Sequence, residues 1–247
     1  MKISDFYFEA AKAYLNSSLI FLFSACLFVL INSLIGNVQL MVLTLPFIGA
    51  SFAYFHMHLA KVKSAATSKM TFMNKSNTLL KSESILPLYE NRLKPGLLLF
   101  SPAGLKIGEL RKHRTSEFPA FTHVYELKDE NLLTKAFYIV SGNLIDAFHA
   151  DRRKLGCLEK KGDQWLFRTD IGGQTAMLEC TSMFMDSKIF IAENTVACRL
   201  RRGIMPVEWS SVFFDANTPV LSFHKDVTEE DRLLFFAMLV KEFFIDR

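Results

Sequence analysis

No Asp, Glu, Lys or Arg occurs between residues 13 and 60, and no Asp or Glu between residues 10 and 82. A segment that long and that uncharged excludes an ordinary water-exposed surface. Gly36-Asn37 splits it into two halves, 14–35 and 38–60, each meeting the roughly 20 residues at about 1.5 Å apiece that a helix needs to cross a hydrocarbon core. Cysteine is scarce and unpaired in pattern. Cys26 falls in the first half, and Cys157, Cys180 and Cys198 show no C-x-x-C spacing. That excludes a disulfide framework, a zinc ribbon and a dithiol redox motif, and predicts reduced thiols. A compact basic leader is also missing: MKISDFYFEAAK holds Asp5 and Glu9. No small-residue cleavage site follows, and the second apolar half comes directly after the first, which argues against a cleaved signal peptide.

The charge that is present is unevenly placed. Residues 61–94 carry Lys61, Lys63, Lys69, Lys75, Lys81, Arg92 and Lys94 against Glu83 and Glu90, whereas residues 1–60 sum to zero. The net +4 therefore sits just behind the apolar halves, which points to a membrane surface rather than to nucleic acid. With Lys61, Lys63 and Lys69 flanking the second half and none in the turn, the positive-inside rule predicts a two-span hairpin in the cell membrane, both termini cytoplasmic.

Residues 1–12 read as a short amphipathic helix with Ser4 as N-cap, lying on the membrane surface. Pro46 and Gly49 predict a kink in the second span. Asn16, Asn32 and Gln39 are candidates for hydrogen bonds between helices, and Tyr14 and Tyr54 for an interfacial aromatic belt. His56 and His58 point to different faces of a helix and so make a poor metal site. Residues 61–94 read as a basic juxtamembrane linker, in which each lysine near an anionic leaflet gains about 1 kcal/mol.

From residue 95 the texture changes to short β-branched and aromatic runs at 97–101, 105–110, 121–128, 135–141, 144–149, 154–161, 164–169, 174–180, 188–191, 196–202, 207–215 and 220–224. Pro102-Ala103-Gly104, Ser141-Gly142-Asn143, Lys161-Gly162-Asp163 and Gly172-Gly173 supply turns between them. About twelve strands at this spacing predict a sandwich or barrel. Thr228 then caps a helix over 228–246, whose run 233–240 is apolar all round. That run is too short to span a bilayer, so protein must surround it.

Phe100-Ser101-Pro102-Ala103-Gly104-Leu105-Lys106-Ile107-Gly108, Tyr138-Ile139-Val140-Ser141-Gly142-Asn143-Leu144-Ile145, Asn217-Thr218-Pro219-Val220-Leu221-Ser222-Phe223 and the terminal helix resemble the tubby C-terminal-like superfamily, which includes LURP-one-related proteins and phospholipid scramblases. The likeness covers residues 95–247. It implies about twelve strands closed around a hydrophobic C-terminal helix, and a lipid-associated or membrane-tethered module. Some relatives bind phosphoinositide headgroups through Lys and Arg, although no such pocket transfers residue by residue.

Candidate lipid- or phosphate-binding residues are Lys61, Lys63 and Lys69 of the linker, Arg111, Lys112 and Arg114 after a strand, and Arg199, Arg201 and Arg202. Of these, Arg199 and Arg201 share one face of a strand. The alternative for the arginine row is an outer wall balanced by acids across the sheet. His149 with Asp151 lacks a nucleophile or third partner. Gly172-Gly173 lacks the helix that a phosphate loop needs. Asp, Glu and His do not cluster at metal spacing. The expectation is a non-catalytic module without cofactor or metal, partnered by the bilayer and its anionic headgroups. A protein-interaction scaffold, a homo-oligomer through the anchor, and a lipid-moving protein are the alternatives.

Overall fold

In a computed structural model, residues 1–36, 41–68, 78–90, 95–113, 123–170, 175–181, 186–191, 195–203 and 205–245 are described; Lys69 and Arg114, and the Gly172-Gly173 turn, lie outside them. The chain divides into two compact units, Met1–Met70 and Thr71–Arg247.

In the first unit the apolar run forms α1 (Ile3–Ile35), long and apolar enough to cross a membrane. Lys2, rather than Ser4, sits at the N-cap, and its amide donates to Asp5 Oδ2 at 2.8 Å. The expected surface helix over 1–12 is therefore the first part of α1. A second helix, α2 (Thr44–Thr67), runs past residue 60, taking in Lys61 and Lys63. Pro46 sits in the first turn of α2, where its missing N–H is not needed. Just before it the helical backbone is interrupted, with Met41 and Val42 helical and Leu43 in a turn.

The two helices pack antiparallel. Ser18 Oγ donates to Ser51 O and Ser51 Oγ to Ser18 O, both at 2.9 Å. This reciprocal pair makes a contact expected of Asn16 or Asn32. Tyr14 lies against Tyr54, Phe21 and Phe28 against Phe47, and His58 Nδ1 is 2.9 Å from Ala11 O. Beyond the uncharged run the pairing continues. Ile3, Tyr7 and Ala11, one residue per helical turn, are buried, and Lys61 Nζ stands 5.4 Å from the Tyr7 ring centre.

The second unit is a closed antiparallel barrel of twelve strands: β1 (Ser84–Glu90), β2 (Gly96–Phe100), β3 (Lys106–His113), β4 (His123–Asp129), β5 (Thr134–Ser141), β6 (Leu144–His149), β7 (Lys154–Lys161), β8 (Gln164–Thr169), β9 (Thr175–Thr181), β10 (Asp186–Ile191), β11 (Thr195–Arg201) and β12 (Val220–Phe223). Each strand pairs with its sequence neighbours, and β1 closes on β12 through Ser84↔Ser222 and Ile85↔Leu221. Alternation sets the faces: Trp165 and Phe167 are buried, Gln164 and Arg168 exposed. Gly142 and its neighbour Asn143 join β5 to β6, with φ of 56° at the glycine.

Two expectations change here. β1 lies inside the stretch read as linker. Pro87 disguises it as non-strand, yet β12 pairs β1 only as far as Ile85 and leaves one flank where proline forfeits no ladder bond. The run 207–215 is not a strand. It forms a 3₁₀ turn, Val207–Trp209, and then further turns, because its backbone bonds are local: Trp209 N to Pro206 O, Ser210 N to Val207 O and Phe213 N to Trp209 O. Its apolar residues Val212 and Phe213 are still buried, and Phe213 meets Phe100 of β2 edge-on at 6.5 Å.

After β12, Thr228 Oγ1 accepts from the Asp231 amide and starts α3 (Glu229–Phe235). In place of one helix over 228–246, α4 (Ala237–Val240) and a π-helical turn (Lys241–Ile245) follow. The break at Phe236 is marked by the short bond from Leu239 N to Phe236 O. Side chains from Leu233 to Phe243 are buried, and the apolar ones belong to the same core cluster as the inward-facing strand residues. Tyr138 Oη donates to Leu233 O at 2.6 Å, Phe167 packs on Phe235, and Phe223 on Phe236.

Candidate functional site

Side-chain alternation directs Arg199 and Arg201 outward on β11, while Cys198 and Leu200 are buried. Arg199 grips Asp186 of β10 with two bonds, Nε to Oδ1 at 2.7 Å and Nη2 to Oδ2 at 2.6 Å. That hydrogen bonding holds the Asp186 carboxyl below its ordinary range. On β3, Arg111 meets Glu90 at 2.8 Å and Glu109 at 3.3 Å, and Lys106 meets Glu109 at 2.6 Å. Burial would raise the Glu109 carboxyl, but Lys106 and Arg111 together outweigh it and hold the group low. Lys112 is exposed. Arg202 lies over the Phe243 ring at 4.8 Å.

These barrel cations occupy one rim, where the β1–β2, β3–β4 and β11–β12 connections lie, but in two groups with β2, β1 and β12 between β3 and β11. Around the wall they are therefore about 20 Å apart at the usual strand spacing. Lys61 and Lys63 belong to α2, with Lys63 exposed. The structure brings together Arg199, Arg201 and Arg202 as one group, and Arg111 and Lys112 as another. It does not gather all the predicted residues into one pocket.

The same rim holds a polar cluster that sequence reasoning passed over. Lys241 and Glu242 are buried, and their side chains meet at 2.7 Å. Ser187 Oγ donates to Glu242 at 3.1 Å. The Cys180 sulfur lies 3.8 Å from Lys241 Nζ, and Lys241 Nζ sits 5.5 Å from the Trp165 ring centre. A pocket of about 280 Å³ adjoins it, lined by Asp163, Gln164, Trp165, Met177, Leu178, Glu179 and Cys180. Burial pushes the Cys180 thiol up, so it is a weaker nucleophile than a free cysteine. Cys198, which unlike Cys180 is fully buried, is pushed up further by that burial. The arrangement ties the end of the terminal segment to β9 and β10. In sequence, the only sign of it is a Lys-Glu pair interrupting an apolar run.

His149 Nδ1 and Asp151 Oδ1 stand 3.0 Å apart, but the aspartate is exposed. Its carboxyl is lowered first by the Arg153 amide, the signature of an Asx turn between β6 and β7. Among the described residues, no group of three or more His, Cys, Asp or Glu is placed to hold a metal ion. Compared with protein-family models, with curated proteins and with solved structures, the chain matches none.

Proposed function

We propose that this protein is a membrane-anchored, non-catalytic β-barrel module that works at the surface of the membrane holding it, with its basic side chains on anionic lipid headgroups. The observation that carries the reading is the outward display of α1. Eleven large apolar side chains along it are exposed, among them Phe23 at 72% and Leu34 at 87%. Each such side chain forgoes about 1.5–3 kcal/mol if left in water, and a soluble monomer rarely leaves so large a patch uncovered. Exposed Leu45 and Phe52 extend the display onto α2. In this reading α1 and α2 cross the bilayer as a two-span hairpin, and the basic flank keeps both termini in the cytoplasm. The barrel is of the tubby-like kind, wrapped around its own terminal helical segment.

Full-length protein in membranes tests the anchor. It should resist extraction by alkaline carbonate, and cytoplasmic-side protease alone should remove the barrel. Release by carbonate would sink the hairpin. Headgroup contact is tested in nanodiscs of phosphatidylcholine with and without phosphatidylserine. Amide exchange in 61–68, 106–113 and 195–203 should slow with the anionic lipid and recover in salt.

A second reading is favoured by the carboxylates already bonded to Arg111 and Arg199: the wall is charge-balanced and a protein partner docks on it. Exchange unaffected by anionic lipid would select that reading.

A further inference from the structure

The turn joining β4 to β5 carries two leucines into solvent. Leu132 and Leu133 are each 59% exposed, and Leu132 has a φ of 63°, a left-handed backbone that a branched apolar side chain rarely adopts. The turn is firmly built. The buried carboxylate of Asp129 accepts from the amides of Asn131 and Leu133, both at 2.9 Å, and its second oxygen meets Lys135 Nζ at 3.1 Å. The Asp129 amide donates to Leu133 O at 3.0 Å. Gly or Asn at 132 and a polar residue at 133 would satisfy such a turn without strain or apolar exposure. Strain retained at an exposed apolar tip points to a use for the tip.

Two further observations indicate what it meets. The Ala150 amide donates to Lys135 O at 3.1 Å, so the β6–β7 turn bearing Arg152 and Arg153 lies alongside, and Arg152 also has a left-handed φ, 70°. The chain also enters the barrel at this rim, because β1 starts here at Ser84.

We propose that Leu132-Leu133 is an interfacial tip that dips into the boundary between lipid headgroups and acyl chains, with Lys135 and Arg152 at headgroup level. This rests on the membrane anchor of that reading and not on its headgroup contacts, because the tip stands on the rim opposite Arg111, Lys112, Arg201 and Arg202 and leaves those cations to a protein partner. A bilayer fits better than a protein groove. Two side chains on one turn fall far short of the roughly 1,000 Å² that a stable protein interface buries. Shallow insertion suffices for a module whose anchor already holds it near lipid at high effective concentration.

The test uses the full-length chain in nanodiscs doped with a phospholipid bearing a photoactivatable group high on its acyl chain. Adducts on α1 together with adducts on the peptide covering 129–134 are the expected result. Adducts on α1 with none on 129–134 overturn the tip and leave the anchor standing. No adducts on either overturn both. A second measurement places a reporter at the tip: emission added by Leu133→Trp, over that of Trp165 and Trp209 in the parent, should lose most of its intensity with brominated lipid. Added emission that stays at the water-exposed wavelength and is not quenched rejects the proposal.

Discussion

Among the described glycines, Gly156 on β7 is the one least able to accept a side chain. It has a φ of 156°, and a Cβ there would lie 2.3 Å from the Arg168 carbonyl oxygen on β8, a backbone atom that cannot swing aside. Gly156→Ala should cost about 3 kcal/mol, seen as an early denaturant midpoint. Tyr138 is a different case. Its fully buried hydroxyl satisfies Leu233 O, and burial pushes its phenol well above the ordinary value. Tyr138→Phe leaves that carbonyl unpaired and should lower stability by about 1–3 kcal/mol, measured by chemical denaturation. Neither role could be read in the sequence. Gly142 and Gly162 stand in short polar turns and announce themselves, whereas Gly156 sits within a strand. Its cause is a neighbour across the ladder rather than a neighbour in the chain. The buried Lys241–Glu242 pair was hidden for the same reason, since Ser187 and Cys180 reach it from distant strands.

Strands were the most legible elements, because a period of two over six to eight residues survives any tertiary context. The bounds 144–149, 154–161 and 164–169 are those observed. The expected total of about twelve strands agrees with the barrel through two compensating differences: β1 lies in the stretch that reads as linker, and 207–215 reads as strand but forms turns. Helix ends were less legible, since composition marks where charge stops and starts but not where helical pairing does. Residues 3–11 of α1 and Lys61 of α2 continue the pairing of the two helices beyond the uncharged run. The Ser18–Ser51 pair sets that register. Ser18→Ala with Ser51→Ala should weaken helix association by about 1 kcal/mol, detected as faster unfolding of this unit in bicelles under denaturing detergent.

On the scale of the whole barrel, the outer carboxylates govern acid stability. Glu109, Glu126 and Asp186 all have lowered values, the first two against burial by Lys106, Arg111, Thr134 and Lys128, and the third through Arg199. Each titrates higher in the unfolded chain, near the ordinary 4.5 for glutamate or 3.8 for aspartate. Their contribution is complete above those values and is lost as pH falls through the folded ones. Thermal melting should thus hold steady from neutrality to about pH 5 and drop below it. Asp186→Asn should lower the plateau and flatten part of the drop. A melting temperature unchanged at acid pH would contradict this assignment.

The position of the terminal segment orders events in time. Residues 229–245 are synthesised after all twelve strands, yet their side chains complete the core those strands enclose. The ladder also closes only when β1 meets β12, its most sequence-distant neighbour. During translation, then, α1 and α2 emerge while the barrel still lacks its filling, and long-range closure of this kind is slow and exposed to misassembly. A ribosome stopping after Val227 would release a product with every strand and no interior. That product should be cleared by quality-control proteases rather than accumulate, even with α1 and α2 correctly formed.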